Sequence, residues 1–235
     1  MLKLERDIKF RALPEHFKEH LSFFPHFLIK QLIAGFTFVM LDLLVLIPII
    51  YPMIDTTFYL TIPFILLINI WAIRLLILNP EKTELESILF LGALGAVGSY
   101  SVFILIQKMN YYVLQVNSLF YLMASILLYI VVICFFSYIK VKKFSTIIVL
   151  KKKNEQHSTF TNSIITISVS AGYMVAQIVI NQSLSIMNTY MIVIFSLLLL
   201  FFTDMAVKYI HRYLFMKSNL NVVKLSKKIY LEKLT

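Results

Sequence analysis

Apolar runs separated by short polar stretches dominate the chain, at 31–53, 58–78, 88–106, 118–139, 159–180 and 189–207. A helix rises about 1.5 Å per residue and a hydrocarbon core is about 30 Å thick, so about 20 apolar residues suffice to cross it. The pattern predicts an all-α polytopic membrane protein with six transmembrane helices. Ahead of them, segment 1–30 is mixed, and Phe10, Leu13, Phe17, Leu21, Phe24 and Leu28 recur in it at steps of three and four. That stripe predicts an N-terminal amphipathic helix lying in the membrane interface with its apolar side down. Packing against the ends of the bundle is the alternative. After the last run, 208–235 reads as a basic cytoplasmic tail.

Composition agrees with the pattern. Of 235 residues, 60% are hydrophobic and 14% charged, against about 25% charged in soluble domains. A formal net charge of +10 would suggest nucleic acid in a polar chain. Here it points to loops facing an anionic inner leaflet, with no nucleic-acid partner. No cleavable signal peptide is expected, because the first apolar run begins only after a charged segment. The one cysteine, Cys134, excludes an intrachain disulfide.

The basic residues also orient the chain. With both termini cytoplasmic, 21 of the 22 Lys and Arg residues fall inside, and only Lys108 falls outside. That asymmetry is the positive-inside signature and predicts a multi-pass protein of the cell membrane.

Within the runs, polar residues stand out. Asp42 is at the centre of 31–53, where an acid costs about 2.5–3.5 kcal/mol on insertion scales. Depth matching places Asn69, Ser99, Tyr100, Tyr129 and Ser170 near the same level. Polar side chains in lipid seek partners across helices, so Asp42, Asn69, Ser99, Tyr129 and Ser170 form a candidate midplane cluster. The sixth run is plainer, with Ser196 alone near its middle. Ser163, Thr166, Ser170, Tyr173 and Gln177 share one helix face. That face packs inward or lines a polar cavity. Gly92, Gly95 and Ala96, with Ser99, make a small-residue face that suits close helix packing. Arg74 is placed to snorkel to the headgroups, or else to reach Asp42. Asp204, Lys208 and Arg212 share a face and suggest a local ion-pair ladder. Thr83 and Glu86 have the spacing of a capping box.

Chemistry-bearing patterns are few. His16 and His20 with Glu15 and Glu19 lack the order of a zincin helix, so no metal and no other cofactor is expected. There is neither a Walker loop nor a Gly-x-Ser-x-Gly elbow. Enzymatic activity is not expected.

The start MLKLERDIKFRALPEHF, the length and the number of runs resemble the small multi-spanning proteins that accompany staphylococcal type VII secretion and toxin gene clusters. The Lys-, Ile- and Asn-rich style is similar to that of proteins from AT-rich Gram-positive bacteria. This resemblance implies an accessory or toxin-immunity role, exercised by binding another membrane protein or a membrane-active toxin. It implies no catalytic residues. An amphipathic helix ahead of six spans also resembles the permease subunits of ABC exporters. That resemblance implies a permease subunit or small transporter using the polar layer around Asp42.

Overall fold

The computed structural model describes residue 13, residues 15–116, 118–145 and 184–220, and residue 223. All regular elements among them are helical. Among the described residues, five helices are long and apolar enough to cross a membrane: Phe27–Ile50, Asp55–Ile77, Glu84–Val113, Leu119–Phe144 and Ile186–Ser218. The expected run 159–180 and its polar face, Ser163, Thr166, Ser170, Tyr173 and Gln177, lie outside the described residues.

The elements in chain order are α1 (Glu15–Leu21), α2 (His26–Ala34), a π-helical stretch (Gly35–Leu46) and α3 (Ile47–Ile50), the last three forming one continuous rod. Then come α4 (Asp55–Ile77), a 3-10 turn (Pro80–Lys82), α5 (Glu84–Lys108) with a short π extension (Met109–Val113), α6 (Leu119–Ser145) and α7 (Leu184–Ser218). α7 continues well past 207, so the first part of the expected basic tail is helix.

The helix ends follow local chemistry. Asn79 accepts a bond from the Glu81 amide and opens the turn between α4 and α5. Glu84 and Glu86 occupy the first turn of α5, where the helix dipole favours acids. The expected capping box does not form, because Thr83 makes no side-chain cap bond to α5. Glu86 instead accepts from Trp71 Nε1 at 2.9 Å and Arg74 Nη1 at 2.6 Å, both on α4. Arg74 therefore pairs with Glu86 of the adjacent helix and not with Asp42.

α5 is the centre of the bundle. More than half of its apolar window is buried, whereas none of α6's window is. The small-residue face explains this position. A Cβ on Gly95 would lie 2.5 Å from the Ala206 amide nitrogen and 3.0 Å from the Phe202 carbonyl oxygen. On Gly92 it would lie 3.0 Å from the Ile210 nitrogen. Only glycine lets the α5 and α7 backbones come this close. α4 and the π stretch pack on α5 as well, and α6 attaches along α7.

α1 is not a surface helix. Its Phe17 and Leu21 are buried, and Phe17 packs edge-on against Phe144 of α6, with centroids 5.4 Å apart, and beside Phe215 of α7. Leu13, Phe17 and Leu21 of the expected stripe are thus buried, whereas Leu28 is exposed and Phe10 lies outside the described residues. At the other end of the bundle, Lys108 is buried. Its ammonium donates to the carbonyls of Pro48, Ile49 and Pro52 at 2.7, 2.9 and 2.6 Å. It thus closes the carboxyl end of α3, where helix carbonyls lack internal partners.

Candidate functional site

Asp42 lies within the π stretch. The Ile47 amide bonds to the Asp42 carbonyl, five residues back. A π-helical run this long is rare, and π-bulges cluster at functional sites. Each added residue per turn rotates later side chains relative to an α-helix, so the sequence period misplaces them. Asp42 is half-buried, and its Oδ1 accepts from Asn69 Nδ2 on α4 at 2.9 Å. Asn69 Nδ2 also donates to the Ile65 carbonyl one turn back. The amide therefore ties the acid to the backbone of α4.

Ser99 belongs to a second group, where α5, α6 and α7 meet. Its hydroxyl bonds to Tyr129 at 2.9 Å and to Thr203 at 2.7 Å. Thr203 donates back to Leu199 on its own helix, and Tyr129 stacks on Phe103. The expected single layer is therefore two groups, Asp42–Asn69 and Ser99–Tyr129–Thr203. Tyr100 joins neither, since it donates to the Leu60 carbonyl at 3.3 Å. Ser196 bonds to Ile192 in its own helix. Depth alone selects Ser99 and Tyr129 but passes over Thr203. Threonine is common in apolar helices, where it satisfies itself on the preceding turn. Only the small face of α5 brings Thr203 within reach of Ser99.

Beside this second group, α5, α6 and α7 line a half-open apolar cavity of about 640 Å³. Ala96, Ser99, Tyr129, Ile133, Thr203 and Ile210 line it, and Lys140 and His211 stand at one end.

That end leads to the feature that sequence spacing conceals most. His20 of α1 and His211 of α7 meet, Nε2 to Nδ1, at 3.1 Å. Phe144 covers His20 with ring centroids 4.2 Å apart. Arg212 donates from Nε to the His20 carbonyl at 3.2 Å and from Nη2 to the Ser22 carbonyl. Its guanidinium also lies over the Phe24 ring, 4.4 Å from the centroid. Asp204 bonds to Lys140 of α6 at 2.8 Å. The expected ladder with Lys208 is replaced by this pair because α6 presents an ammonium across the interface. A second cavity of about 470 Å³ opens here, lined by His20, Ser22, Lys140, Lys143, Lys208 and Arg212 among others.

Burial, and then the positive neighbours His211, Arg212, Lys208 and Lys143, hold His20 down from 6.5 to about 3. The consequence for α1 has a definite sign. Undocked, His20 takes up a proton below about pH 6.5; docked, it resists protonation until about pH 3. Docking is therefore fully favoured above 6.5 and weakens as pH falls from 6.5 toward 3. Hydrogen exchange of the α1 amides, corrected for intrinsic rates, should speed up between about pH 7.5 and about pH 5. His20→Phe should flatten that dependence. An α1 equally protected at both pH values would contradict the assignment.

Among the described residues, no group of three His, Cys, Asp or Glu side chains is arranged to hold a metal ion. Comparison with family models, curated proteins and solved structures gave no match.

Proposed function

We propose that this is a non-enzymatic, multi-pass protein of the cell membrane, with six spans and both termini cytoplasmic. It acts as an accessory or toxin-immunity protein by binding another membrane protein or a membrane-active toxin. The observation that carries this reading is α6. It is as apolar as the other candidate spans, yet no residue of its apolar window is buried. Its outward side chains, Leu127, Leu128, Val131 and Phe135 among them, are exposed. A helix held along one edge leaves the rest of its surface for helix–helix association. The mid-depth polar atoms support a scaffold too, since Asp42, Asn69, Ser99, Tyr129 and Thr203 are joined in hydrogen bonds between helices. The orientation rests on charge: Lys108, the one basic residue assigned outside, is buried as a cap rather than offered to headgroups.

A photo-crosslinking residue at Leu128 should trap a membrane partner in native membranes, while one at the buried Leu94 should not. Deleting the gene should raise sensitivity to a membrane-active toxin made by the same or a sibling strain. Unchanged sensitivity refutes immunity, and equal trapping at both positions refutes the α6 interface.

One observation favours a second reading, a permease subunit or small transporter. It is the π-helical setting of Asp42, a distortion associated with function. Asp42→Asn keeps an acceptor for Asn69, so stability should change by no more than about 1 kcal/mol. A transporter would lose its pH-dependent flux in this variant. Flux that survives unaltered removes Asp42 from any mechanism.

A further inference from the structure

The two cavities at the basic end of the bundle adjoin. One is apolar and lies between α5, α6 and α7. The other is polar and lies between α1, α6 and α7. Lys140 lines both, and His211 and Arg212, consecutive on α7, line one each. Among the ten described residues around the polar cavity, Lys140, Lys143, Lys208 and Arg212 are cationic and none is acidic. Asp204 lies nearby but is bonded to Lys140. No ion pair engages Lys143 or Lys208 among the described residues. Both side chains are exposed, and so available to a ligand. Like charges gathered beside a partly buried surface repel one another, and an anion placed among them relieves that repulsion.

We propose that these joined cavities form a binding site for one anionic phospholipid, its phosphate held among Lys143, Lys208 and Arg212, and an acyl chain laid against Ile133, Val207 and Ile210.

The division of labour follows from chemistry. Lysine ammoniums supply mobile point charges for a phosphate, whereas a guanidinium is a planar, fixed donor. Arg212 is oriented by the carbonyls of His20 and Ser22 and by the Phe24 ring, so it presents its charge from a rigid position. His20, held well below its usual range first by burial and then by its positive neighbours, is uncharged at neutral pH and leaves the charge of the cavity to Lys143, Lys208 and Arg212. The volumes of about 640 and about 470 Å³ fall within the range of about 300–1,000 Å³ usual for small-molecule sites. A free phosphate would occupy only the polar half. The contiguous apolar half is what selects a lipid. The site is independent of whether the chain serves as an accessory or a transporter.

The test uses the full chain, purified in mild detergent and titrated with phosphatidylglycerol or phosphatidylcholine while native mass spectrometry counts retained lipid. Wild type should retain one phosphatidylglycerol per chain, at least tenfold more tightly than phosphatidylcholine. The pair Lys143→Gln and Lys208→Gln should weaken phosphatidylglycerol at least tenfold. Lys217→Gln, on the same helix but outside the cavity, should leave it unchanged. Among the described residues neither Lys143 nor Lys208 makes a hydrogen bond, and the contact of Lys208 with the Tyr209 ring is at an exposed position, so the double variant should keep the wild-type Tm to within a few degrees. Returning charge with Lys143→Arg and Lys208→Arg should restore retention even if the glutamine pair proves unstable. Ile133→Trp should weaken a long-chain phosphatidylglycerol more than glycerol phosphate. Equal retention of both lipids, equal loss with Lys217→Gln, or displacement of the lipid by millimolar inorganic phosphate would each overturn the proposal.

Discussion

Gly95→Val should be the most damaging single substitution in the bundle, lowering stability by about 3 kcal/mol, the upper part of the range for overpacking. The reason lies in what a side chain would meet. The first added carbon sits 2.5 Å from the Ala206 nitrogen, 2.8 Å from its Cα and 3.0 Å from the Phe202 oxygen. These are backbone atoms of α7 and cannot turn aside as a side chain can. α5 and α7 must separate, and the Ser99–Thr203 bond at 2.7 Å must break with them. Gly35→Ala is the matched control. Nothing lies within 4 Å of its added carbon, and removing a helical glycine favours the helix by about 0.4–1 kcal/mol. Thermal unfolding in detergent, followed by loss of the monodisperse peak, reads both. Equal Tm values for the two variants would mean that α5 and α7 do not pack as described.

Lys108→Met should be the second. It leaves the carbonyls of Pro48, Ile49 and Pro52 without their shared donor, at a position only 3% exposed. A hydrogen bond to a charged group contributes about 1.5–3 kcal/mol. The three are coupled through one ammonium and do not add, so a loss of about 3 kcal/mol is expected. Lys108→Arg should not rescue it. The planar guanidinium is wider and cannot point three donors at carbonyls set around a compact ammonium. The predicted signature is a lower Tm together with faster proteolysis near Tyr51–Ile54, the segment that Lys108 ties to α5. Wild-type Tm in Lys108→Met would show that the cap contributes nothing.

The two predictions differ in how far ahead the sequence points to them. The spacing of Gly92, Gly95 and Ala96 marks a close-packing face without a structure, because an i, i+3, i+4 pattern is local. Which helix fills that face is not local, and only the packing of α7 against Gly92 and Gly95 answers it. Lys108 shows the same limit from the electrostatic side. Its place as the lone basic residue between runs is plain in the sequence. Its role as a cap depends on α3 ending next to α5.

Polar partners follow the same rule. Asp42 and Asn69 were level by depth, and they are bonded at 2.9 Å. Ser99 and Tyr129 were level too, yet they bond to each other and to Thr203 instead of to Asp42. Depth along the helix axis supplies one coordinate of three. Rotation about each axis and the order of neighbours supply the others, and the π stretch around Asp42 shifts rotation in a way that no periodic reading anticipates. Arg74 with Glu86 and Asp204 with Lys140 make the point for charges. Spacing suggested Lys208 for Asp204, and depth suggested Asp42 for Arg74; each charge is instead paired with a residue on an adjacent helix.

By itself, the sequence determined the helical class, the approximate extent of five of its six expected apolar runs (the other, 159–180, lies outside the described residues), the small face of α5 and the uneven distribution of charge. These follow from hydrophobicity and backbone hydrogen bonding, which act along the chain. Only the tertiary structure decided that α1 docks through Phe17 and His20, that the polar residues divide into two groups, and that Lys143, Lys208 and Arg212 surround one cavity. Those outcomes join residues far apart in the chain. They depend on which helix faces which, and that is settled by the shape and packing of whole surfaces.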